Sequence, residues 1–482
     1  MSRLRPRKAG LAAVALALTA LAGLGCGTHK NVLVPNLPPE TTLFVQGPVD
    51  TVNHVVHLYW FGSDPDGDVA GFELRLHNPA APAETAWVFT TRADSLFTIF
   101  SPSGVTAPLF EVRAIDNTGL RDPSPAREDF TFSNLPPAVR LVAPPIARDS
   151  TFASVTLNWR PTDPDGDVAR LTYHVWLDGN EATPRTVLTT TYTIPSADFL
   201  QGGVYLSGYR TVYVQPIDDG GRIGAMDSTR WFVRAPVTGP RARLLIIDDV
   251  PNSLPAGAST DSMFTNTALR NLPADSYTVL RLETSQPFRS SKDVEQTMKQ
   301  FESVIWYRGT QTTFPTLMNR FQDGIAGYLD GGGRLVLEGL NLINGTGAAG
   351  ALREDFVTRY FGSNRMYENP LPGNPADSTV AWGINSGAVL RSTVFQDSLR
   401  LAGIFNGLRG FAIRDTNDVA IWARAGTLSQ GHDYDIPVAV SVPQPLGGRA
   451  MAITVPLRAA NGFFTVPRFL AKVFEQLGLT GP

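Results

Sequence analysis

The sequence predicts a multidomain protein in which two all-β sandwiches precede an α/β doubly wound domain. Three observations indicate this fold class. A long segment occurs twice, and each copy contains short runs in which apolar and polar residues alternate. After the second copy come continuous apolar runs separated by helical stretches. At 482 residues the chain is long enough for several domains. We predict sandwiches at residues 41–135 and 136–236 and the α/β domain at residues 241–482.

The overall composition is that of a globular protein. Hydrophobic residues make up 43% and charged residues 18% of the chain, and the 44 glycines and 37 prolines favour turn-rich β domains. The isoelectric point of about 6.1 offers no excess of basic residues for neutralising phosphates. We therefore predict no nucleic-acid partner.

Residues 1–25 have the form of a secretory signal peptide. Four basic residues precede an apolar run at residues 11–24, which is too short for a typical membrane span. The end of the run, "LAGLGC", resembles the lipobox of bacterial lipoproteins, although Gly23 stands where that family usually has Leu. The resemblance implies lipidation of Cys26, the only cysteine in the chain. The alternative is an ordinary cleaved signal followed by an incidental cysteine.

The segment after the signal peptide predicts where the protein lies. Residues 26–40 contain several prolines and are expected to form an extended tether. A lipid on Cys26 would make the membrane a partner and place the protein in the cell envelope. Many lipoproteins that stay at the inner membrane have an Asp directly after the lipidated cysteine. Gly27 occupies that position here, so the outer membrane or cell surface is favoured.

The repeat is marked by two similar carboxylate-rich loops. "HLYWFGSDPDGDVAGFELRL" at residues 57–76 aligns with "TLNWRPTDPDGDVARLTYHV" at residues 156–175. Farther along, "FEVRAIDNTGLRD" matches "VYVQPIDDGGRIG", and the Pro-rich leads "NLPPETTLF" and "NLPPAVRLV" precede the two copies. Because apolar residues alternate along several short segments in each copy, we predict strands with one buried face, and hence β-sandwiches.

At these residues the chain resembles the fibronectin type III family or a close immunoglobulin-like relative, over about residues 37–236. The family's core tryptophan on the second strand is matched by Trp60 and Trp159, and its aromatic on the third strand by Phe72 or Tyr173. The turn after its sixth strand is matched by "AIDNTG" and "PIDDGG". The resemblance implies that each "DPDGD" loop and the matching acidic turn lie at the same pole of a sandwich.

Eight aspartates at these poles are candidate calcium ligands, since Ca²⁺ binds six to eight oxygen atoms. An EF-hand is excluded, because Arg75 and His174 occupy the position of its bidentate Glu. The other interpretation is a turn stabilised by its own Asp side chains, which would select the same residues. The candidates are Asp64, Asp66, Asp68 and Asp116 in the first copy, and Asp163, Asp165, Asp167 and Asp218 in the second.

After about residue 240 the pattern changes to strands alternating with helices. Continuous apolar runs predict strands buried on both faces, and the helical stretches between them predict crossovers in a parallel sheet. The predicted strands are "RLLIIDD", "YTVLRLE", "SVIWYRG", "RLVLEGLNL", "PVAVSV" and "GGRAMAITVPL". The predicted helices lie at residues 261–271 and 292–301 and in "TLMNRFQDGIAGYLDGGG" and "VPRFLAKVFEQLGL".

The segments "YLDGGGRLVLEG" and "GGRAMAITVPL" resemble the class I glutamine amidotransferase-like fold, a flavodoxin-like doubly wound sheet, over about residues 241–480. That family places a nucleophilic cysteine on the turn after the strand matched by "RLVLEG". Here the turn reads Glu338-Gly339-Leu340-Asn341-Leu342 and contains no cysteine, and a G-x-S-x-G elbow is also absent. We therefore predict a domain without the catalytic cysteine and without glutamine hydrolysis.

Ligands of doubly wound sheets bind at the carboxyl ends of the strands. Asp248, Asp249, Arg308 and Glu338 follow or end predicted strands, so they are candidates for lining a ligand crevice. The alternative is that they are solvated loop acids and a structural arginine.

Two functional hypotheses follow. The first is a membrane-anchored, non-catalytic lipoprotein with a β-sandwich stalk and a degenerate amidotransferase-like domain, whose partner is a glycan or an envelope protein. The second is an extracytoplasmic hydrolase or carbohydrate-active enzyme that uses acids such as Asp248, Glu338 or Asp433.

Overall fold

The structure is a computed structural model, and the chain forms two compact units, Met1–Asn134 and Leu135–Pro482. The described residues are 35–45, 55–82, 86–237, 244–250, 276–282, 288–311, 316–340, 342, 352–366, 382–384, 389–392, 398–401, 405–408, 411–413, 420–429, 432–457, 460–461 and 465–479. Cys26, the predicted signal peptide and the helix predicted at residues 261–271 lie outside them.

The first unit contains a sandwich of a three-stranded sheet, in the order β1-β2-β5, and a four-stranded sheet, in the order β4-β3-β7-β8. A short pair, β6-β9, completes it. The strands are β1 Glu40–Val45, β2 Val55–Ser63, β3 Val69–His77, β4 Val88–Thr90, β5 Asp94–Thr98, β6 Val105–Thr106, β7 Leu109–Asp116, β8 Ala126–Asp129 and β9 Phe132–Ser133.

The core of this sandwich lies between the two sheets. Val56, Leu58 and Trp60 alternate along β2 and turn inward, as the period-two pattern predicts. The Trp60 ring packs against Phe72 and Phe110 of the opposite sheet, at centroid distances of 6.3 and 5.9 Å. The prediction of a β-sandwich built around this tryptophan is confirmed.

The second unit begins with a sandwich of the same plan. Its sheets have the orders β10-β12-β15 and β11-β19-β18-β13-β14, with a short pair β16-β17. The strands are β10 Ala138–Leu141, β11 Ser150–Thr151, β12 Val155–Thr162, β13 Thr172–Leu177, β14 Arg185–Val187, β15 Thr191–Ile194, β16 Leu200–Gln201, β17 Val204–Tyr205, β18 Gly208–Ile217 and β19 Asp227–Val233.

The sequence repeat is therefore a repeat of structure. Strands β10, β12 and β15 correspond to β1, β2 and β5, and strands β14, β13, β18 and β19 correspond to β4, β3, β7 and β8. Trp159 occupies the place of Trp60 and lies edge-on to Tyr173, with 5.2 Å between ring centroids. The prediction of two tandem sandwich modules is confirmed by this shared strand order.

The remaining strands of the second unit form one ten-stranded sheet, ordered β21-β20-β22-β23-β32-β31-β30-β26-β27-β33, and the small pairs β24-β29 and β25-β28. The strands are β20 Leu244–Asp248, β21 Tyr277–Arg281, β22 Ser303–Tyr307, β23 Arg334–Glu338, β24 Ser363–Met366, β25 Trp382–Ile384, β26 Val389–Ser392, β27 Ser398–Leu401, β28 Phe405–Leu408, β29 Phe411–Ile413, β30 Ala420–Ser429, β31 His432–Pro443, β32 Arg449–Ile453 and β33 Ala460–Asn461. The helices are α1 Ser291–Met298, α2 Thr316–Arg320, α3 Gln322–Asp330, α4 Glu354–Phe361 and α5 Thr465–Gln476.

Half of this sheet is parallel and half is antiparallel. Strand β20 runs parallel to β21 and β22, and β23 runs parallel to β22 and β32. From β32 onward the named pairs are antiparallel. The sequence predicted a parallel sheet, so the prediction is wrong for this half, of which it anticipated only the segment "PVAVSV" in β31.

Apolar residues on both faces explain the continuous runs of the parallel strands. Along β20, Leu245 and Ile247 join a core cluster that includes residues of α1, α3 and α4. Leu244 and Ile246 join a second cluster with residues of α5. Described helices thus cover both faces of the parallel half.

The second sandwich packs directly against the C-terminal sheet region. Phe152, between β11 and β12, is 1% exposed and belongs to the core cluster of that region. Its ring lies edge-on to Phe301 with 5.6 Å between ring centroids, and the Arg234 guanidinium lies 5.2 Å from the centroid of the Phe152 ring. The side-chain amide of Gln300 donates to the carbonyl of Ala153 at 3.3 Å. Phe152 of the sandwich is therefore part of the apolar core of the sheet region.

A buried carboxylate joins the two parts beside this core. Asp293, on the first turn of α1, accepts a hydrogen bond from the hydroxyl of Thr156 on β12 at 2.7 Å, and one from Ser154 at 3.4 Å. It also accepts the backbone N–H groups of Arg289 and Ser290, at 2.9 and 3.2 Å. The last contact belongs to a capping box with Ser290. One side chain thus starts the helix and binds the sandwich.

Candidate functional site

The first "DPDGD" loop holds the lead segment of its own sandwich. The Asp64 carboxylate accepts the N–H of Asp66 at 3.3 Å. Asp66 in turn accepts the backbone N–H of Leu37, at 3.2 and 3.1 Å to its two oxygens. The carbonyl of Asp68, not its side chain, accepts the N–H of Asn117 at 2.9 Å. The loop is thus a capped turn that binds the incoming chain.

Asp116, at the end of β7, completes this pole. Its Oδ1 accepts the N–H groups of Thr118 and Leu120, at 2.9 and 2.8 Å, and its Oδ2 accepts the side-chain amide of Asn36. Burial raises the pKa of Asp116, but the hydrogen bonds from Asn36, Leu120 and Thr118 outweigh it and lower the pKa to about 2. The side chain is an ionised acceptor for the loop and the lead.

The second loop repeats these contacts. The Asp163 carboxylate accepts the N–H of Asp165 at 3.4 Å, and Asp165 accepts the N–H of Leu135 at 2.8 Å. Asp167 caps a short 3₁₀ helix by accepting the N–H of Ala169 at 2.9 Å. The lead residue Leu135 is the counterpart of Leu37. Sequence reasoning missed this contact, although the recurrence of "NLPP" before each loop could have indicated it.

The second loop also concentrates negative charge. Asp218 accepts the N–H of Arg222 at 2.7 Å and is 4% exposed. Burial raises the pKa of Asp163 to about 6, helped by the charges of Asp165 and Asp218 and opposed by the N–H of Asp165. The Oδ2 of Asp163 and the Oδ1 of Asp165 are buried without a hydrogen-bond donor. Across the part of the chain that the structure describes, no group of three or more His, Cys, Asp or Glu side chains is arranged to hold a metal ion. The calcium hypothesis stays a prediction at both loops.

The four crevice candidates lie at neighbouring strand ends of the parallel sheet. Asp248 ends β20, and its carboxylate accepts the N–H of Val250 at 3.1 Å. The next residue, Asp249, accepts the Nε of Arg308 at 3.2 Å and the indole N–H of Trp306 at 3.3 Å. Burial raises the pKa of Asp249, and the charge of Arg308 opposes it. The structure therefore brings Asp249 and Arg308 together as a buried ion pair.

Glu338, at the end of β23, is 1% exposed and bonded to the backbone. Its Oε1 accepts the N–H of Leu457 at 2.9 Å, and its Oε2 accepts the N–H of Gly309 at 3.2 Å. Burial raises the pKa of Glu338 to about 7, and these hydrogen bonds oppose it. Gly339 follows with φ at 144°, and a Cβ there would lie 2.9 Å from the Cβ of Arg308. The carboxyl group ties three loops at the sheet edge.

Asp433, the third acid of the enzyme hypothesis, has its backbone in β31, which begins at His432. Its side chain lies outside the described residues.

A cleft of about 550 Å³ lies on the second sandwich, and the sequence did not predict it. It runs between the β13–β14 hairpin and the segment from β15 to β16. At its rim the Arg185 guanidinium donates to the carboxylate of Asp198 at 2.8 Å. The lining residues are Val175, Trp176, Leu177, Asn180, Thr183, Pro184, Arg185, Tyr192, Ile194, Ala197, Asp198 and Leu200.

Comparisons with solved structures found β-sandwich modules. Fibronectin(III)-like modules of Clostridium thermocellum CbhA are 16% identical, with a TM-score of 0.19, and the match covers 40% of this chain and 94% of that one. The PKD1 domain of Vibrio anguillarum Epp is 9% identical, with a TM-score of 0.16, and the match covers 20% of this chain and 96% of that one. The FN1–FN3 domains of chicken CNTN1 are 13% identical, with a TM-score of 0.18, and the match covers 42% of this chain and 68% of that one. The assignment of the two sandwiches rests on their own strand pairing.

A scan against protein-family models and a search of curated proteins gave no match. Among the described helices, none is long and apolar enough to cross a lipid bilayer.

Proposed function

We propose that the chain is a lipid-anchored, extracytoplasmic lipoprotein whose sandwiches have a non-catalytic binding or structural role. The observation that carries this proposal is the pair of sandwich modules with the same strand order, since such modules present loops and faces that suit binding or a structural role. The partner would be a glycan or an envelope protein. The protein would lie in the cell envelope, at the outer membrane or the cell surface.

We further propose that the C-terminal region is a degenerate amidotransferase-like domain. The parallel strand order β21-β20-β22-β23 and the helices on both faces support it. At the turn where those enzymes carry their nucleophile, this chain has Glu338, and both of its carboxylate oxygens accept backbone N–H groups. A group bound in this way holds loops together and is not available to attack a substrate. The enzyme hypothesis is therefore the weaker of the two.

The anchor is tested through Cys26. Cells expressing the full chain are fed labelled palmitate, and the membrane fraction is compared between the wild type, Cys26→Ser and the control Thr28→Ala. We expect label and membrane association for the wild type and Thr28→Ala, and loss of both for Cys26→Ser. Label that persists in Cys26→Ser, or a wild type that takes up none, would overturn the anchor.

A further inference from the structure

The cleft of the second sandwich has a mostly polar lining, to which a few core residues contribute. Val175, Leu177 and Ile194 are core residues whose edges reach its lining. Asn180 and Thr183 lie on the turn between β13 and β14 and supply amide and hydroxyl groups. At about 550 Å³ the cleft falls within the range of roughly 300–1,000 Å³ that is typical of small-molecule sites.

The charges of the cleft are balanced. Arg185 and Asp198 are the charged residues of its lining, and they are paired at 2.8 Å. Asp198 is more buried than Arg185, with side-chain exposures of 16% and 59%. The pair therefore presents carboxylate acceptors next to guanidinium donors while adding no net charge, which favours a neutral ligand over a phosphate, a carboxylate or a cation.

Two aromatic residues of the lining carry polar atoms. Burial, and then the nearby charge of Asp198, raises the pKa of Tyr192, so its hydroxyl stays protonated. Trp176 stacks on Tyr213 with 5.3 Å between centroids and 15° between planes, which holds its ring in place. The indole N–H of Trp176 is buried and has no acceptor among the described residues. Aromatic rings with fixed polar atoms are suited to ligands that have both apolar and hydroxylated faces.

We infer that this cleft binds a short neutral oligosaccharide. Neighbouring sugar hydroxyls both donate and accept, so one can donate to Asp198 while the next accepts from Arg185. The C–H face of a sugar ring would pack on the lining residues Ile194 and Tyr192. The inference rests on the proposed function for the non-catalytic role. It deepens that function by assigning the glycan partner to the cleft of the second sandwich.

The test uses the full chain in a detergent without a sugar headgroup, titrated by calorimetry with maltotriose, cellotriose and tri-N-acetylchitotriose. We expect saturable binding of at least one probe, weakened about tenfold (about 1.4 kcal/mol) by Asp198→Asn, because the amide loses the charge that strengthens the hydrogen bond. Tyr192→Phe, which keeps the ring, should weaken the same probe less. Thermal melting of each variant checks that it is folded.

The matched control is the pair Arg170–Asp219 of the same sandwich, at 3.2 Å, which lies outside the lining of the cleft. Asp219→Asn should leave the affinity within twofold of the wild type. Absence of saturable binding for all three probes, or equal weakening by Asp198→Asn and Asp219→Asn, would overturn the cleft assignment without touching the lipid anchor. A probe that binds and is cleaved would instead overturn the non-catalytic role.

Discussion

The contact between Thr156 and Asp293 predicts how firmly the second sandwich is joined to the C-terminal sheet. Thr156→Val keeps the shape of the side chain but removes the hydroxyl that donates to Asp293 at 2.7 Å. A hydrogen bond to a carboxylate is worth about 1.5–3 kcal/mol, so we expect a loss of about 2 kcal/mol in the free energy of unfolding. Asp293→Ala should cost more, about 3 kcal/mol, because it also removes a helix cap worth about 1 kcal/mol.

The assay is urea unfolding of the full chain followed by tryptophan fluorescence, for both single variants and the double variant. Because the two side chains share one bond, the double variant should lose at least about 1 kcal/mol less than the sum of the single losses. Lys292→Ala is the control on the same helix. It removes an exposed ion pair with Glu295 and should cost no more than about 0.5 kcal/mol. Additive losses, or a Thr156→Val protein as stable as Lys292→Ala, would refute the coupling.

Three further predictions concern buried or strained positions. The pKa of Asp163 is raised in the folded state, so the protonated carboxyl group favours folding. The stability that this group contributes is lost as pH rises through about 6. Asp163→Asn should therefore raise the melting temperature at neutral pH, by the equivalent of less than about 1 kcal/mol since the group is partly solvated. It should leave the melting temperature nearly unchanged at pH 4, and equal effects at the two pH values would contradict the prediction. Burial raises the pKa of Glu338 to about 7, so up to about 3 kcal/mol of unfolding free energy should be lost between pH 4.5 and 7. Glu338→Gln should reduce this dependence of the unfolding free energy on pH, measured by urea unfolding at several pH values. Gly339→Ala should cost more than about 1 kcal/mol, seen as a lower urea midpoint, because its φ is positive and its Cβ would crowd Arg308.

The sandwiches were predictable because their strands have one buried face. Inward apolar residues recur at every second position around Leu58 and Leu157, and a tryptophan follows each of these two leucines two positions later. The antiparallel half of the large sheet was not predictable in this way. Strand β30 mixes Ala, Gly and Arg with apolar residues, and β31 begins with "HDYD", which favours a turn. Pairing with partners elsewhere in the chain decides these strands, and local propensity does not.

The acidic loops show a similar limit. The letters "DPDGD" predicted a turn at both positions, and the structure has one. The second Asp of each loop, Asp66 or Asp165, accepts the backbone N–H of Leu37 or Leu135, a group that every residue except Pro carries. The loop letters alone therefore could not single out this donor, and only the recurrence of "NLPP" before each loop pointed to it. The four crevice candidates lie at or just after strand ends, and their role as a ligand crevice stays a prediction. The burial and backbone contacts of Glu338 depend on loops that the sequence pattern does not define.

The position of Phe152 has a consequence for biosynthesis. The ribosome releases the second sandwich before it makes residues 288–301, which carry α1 and the Phe301 ring that covers Phe152. Until then, the nascent sandwich would expose to solvent a ring that is 1% exposed in the finished protein. A chain stopped at residue 237 would keep that ring exposed. Both sandwiches have a core of their own residues, so Phe152 is a point at which the second one depends on a part of the chain that is made later.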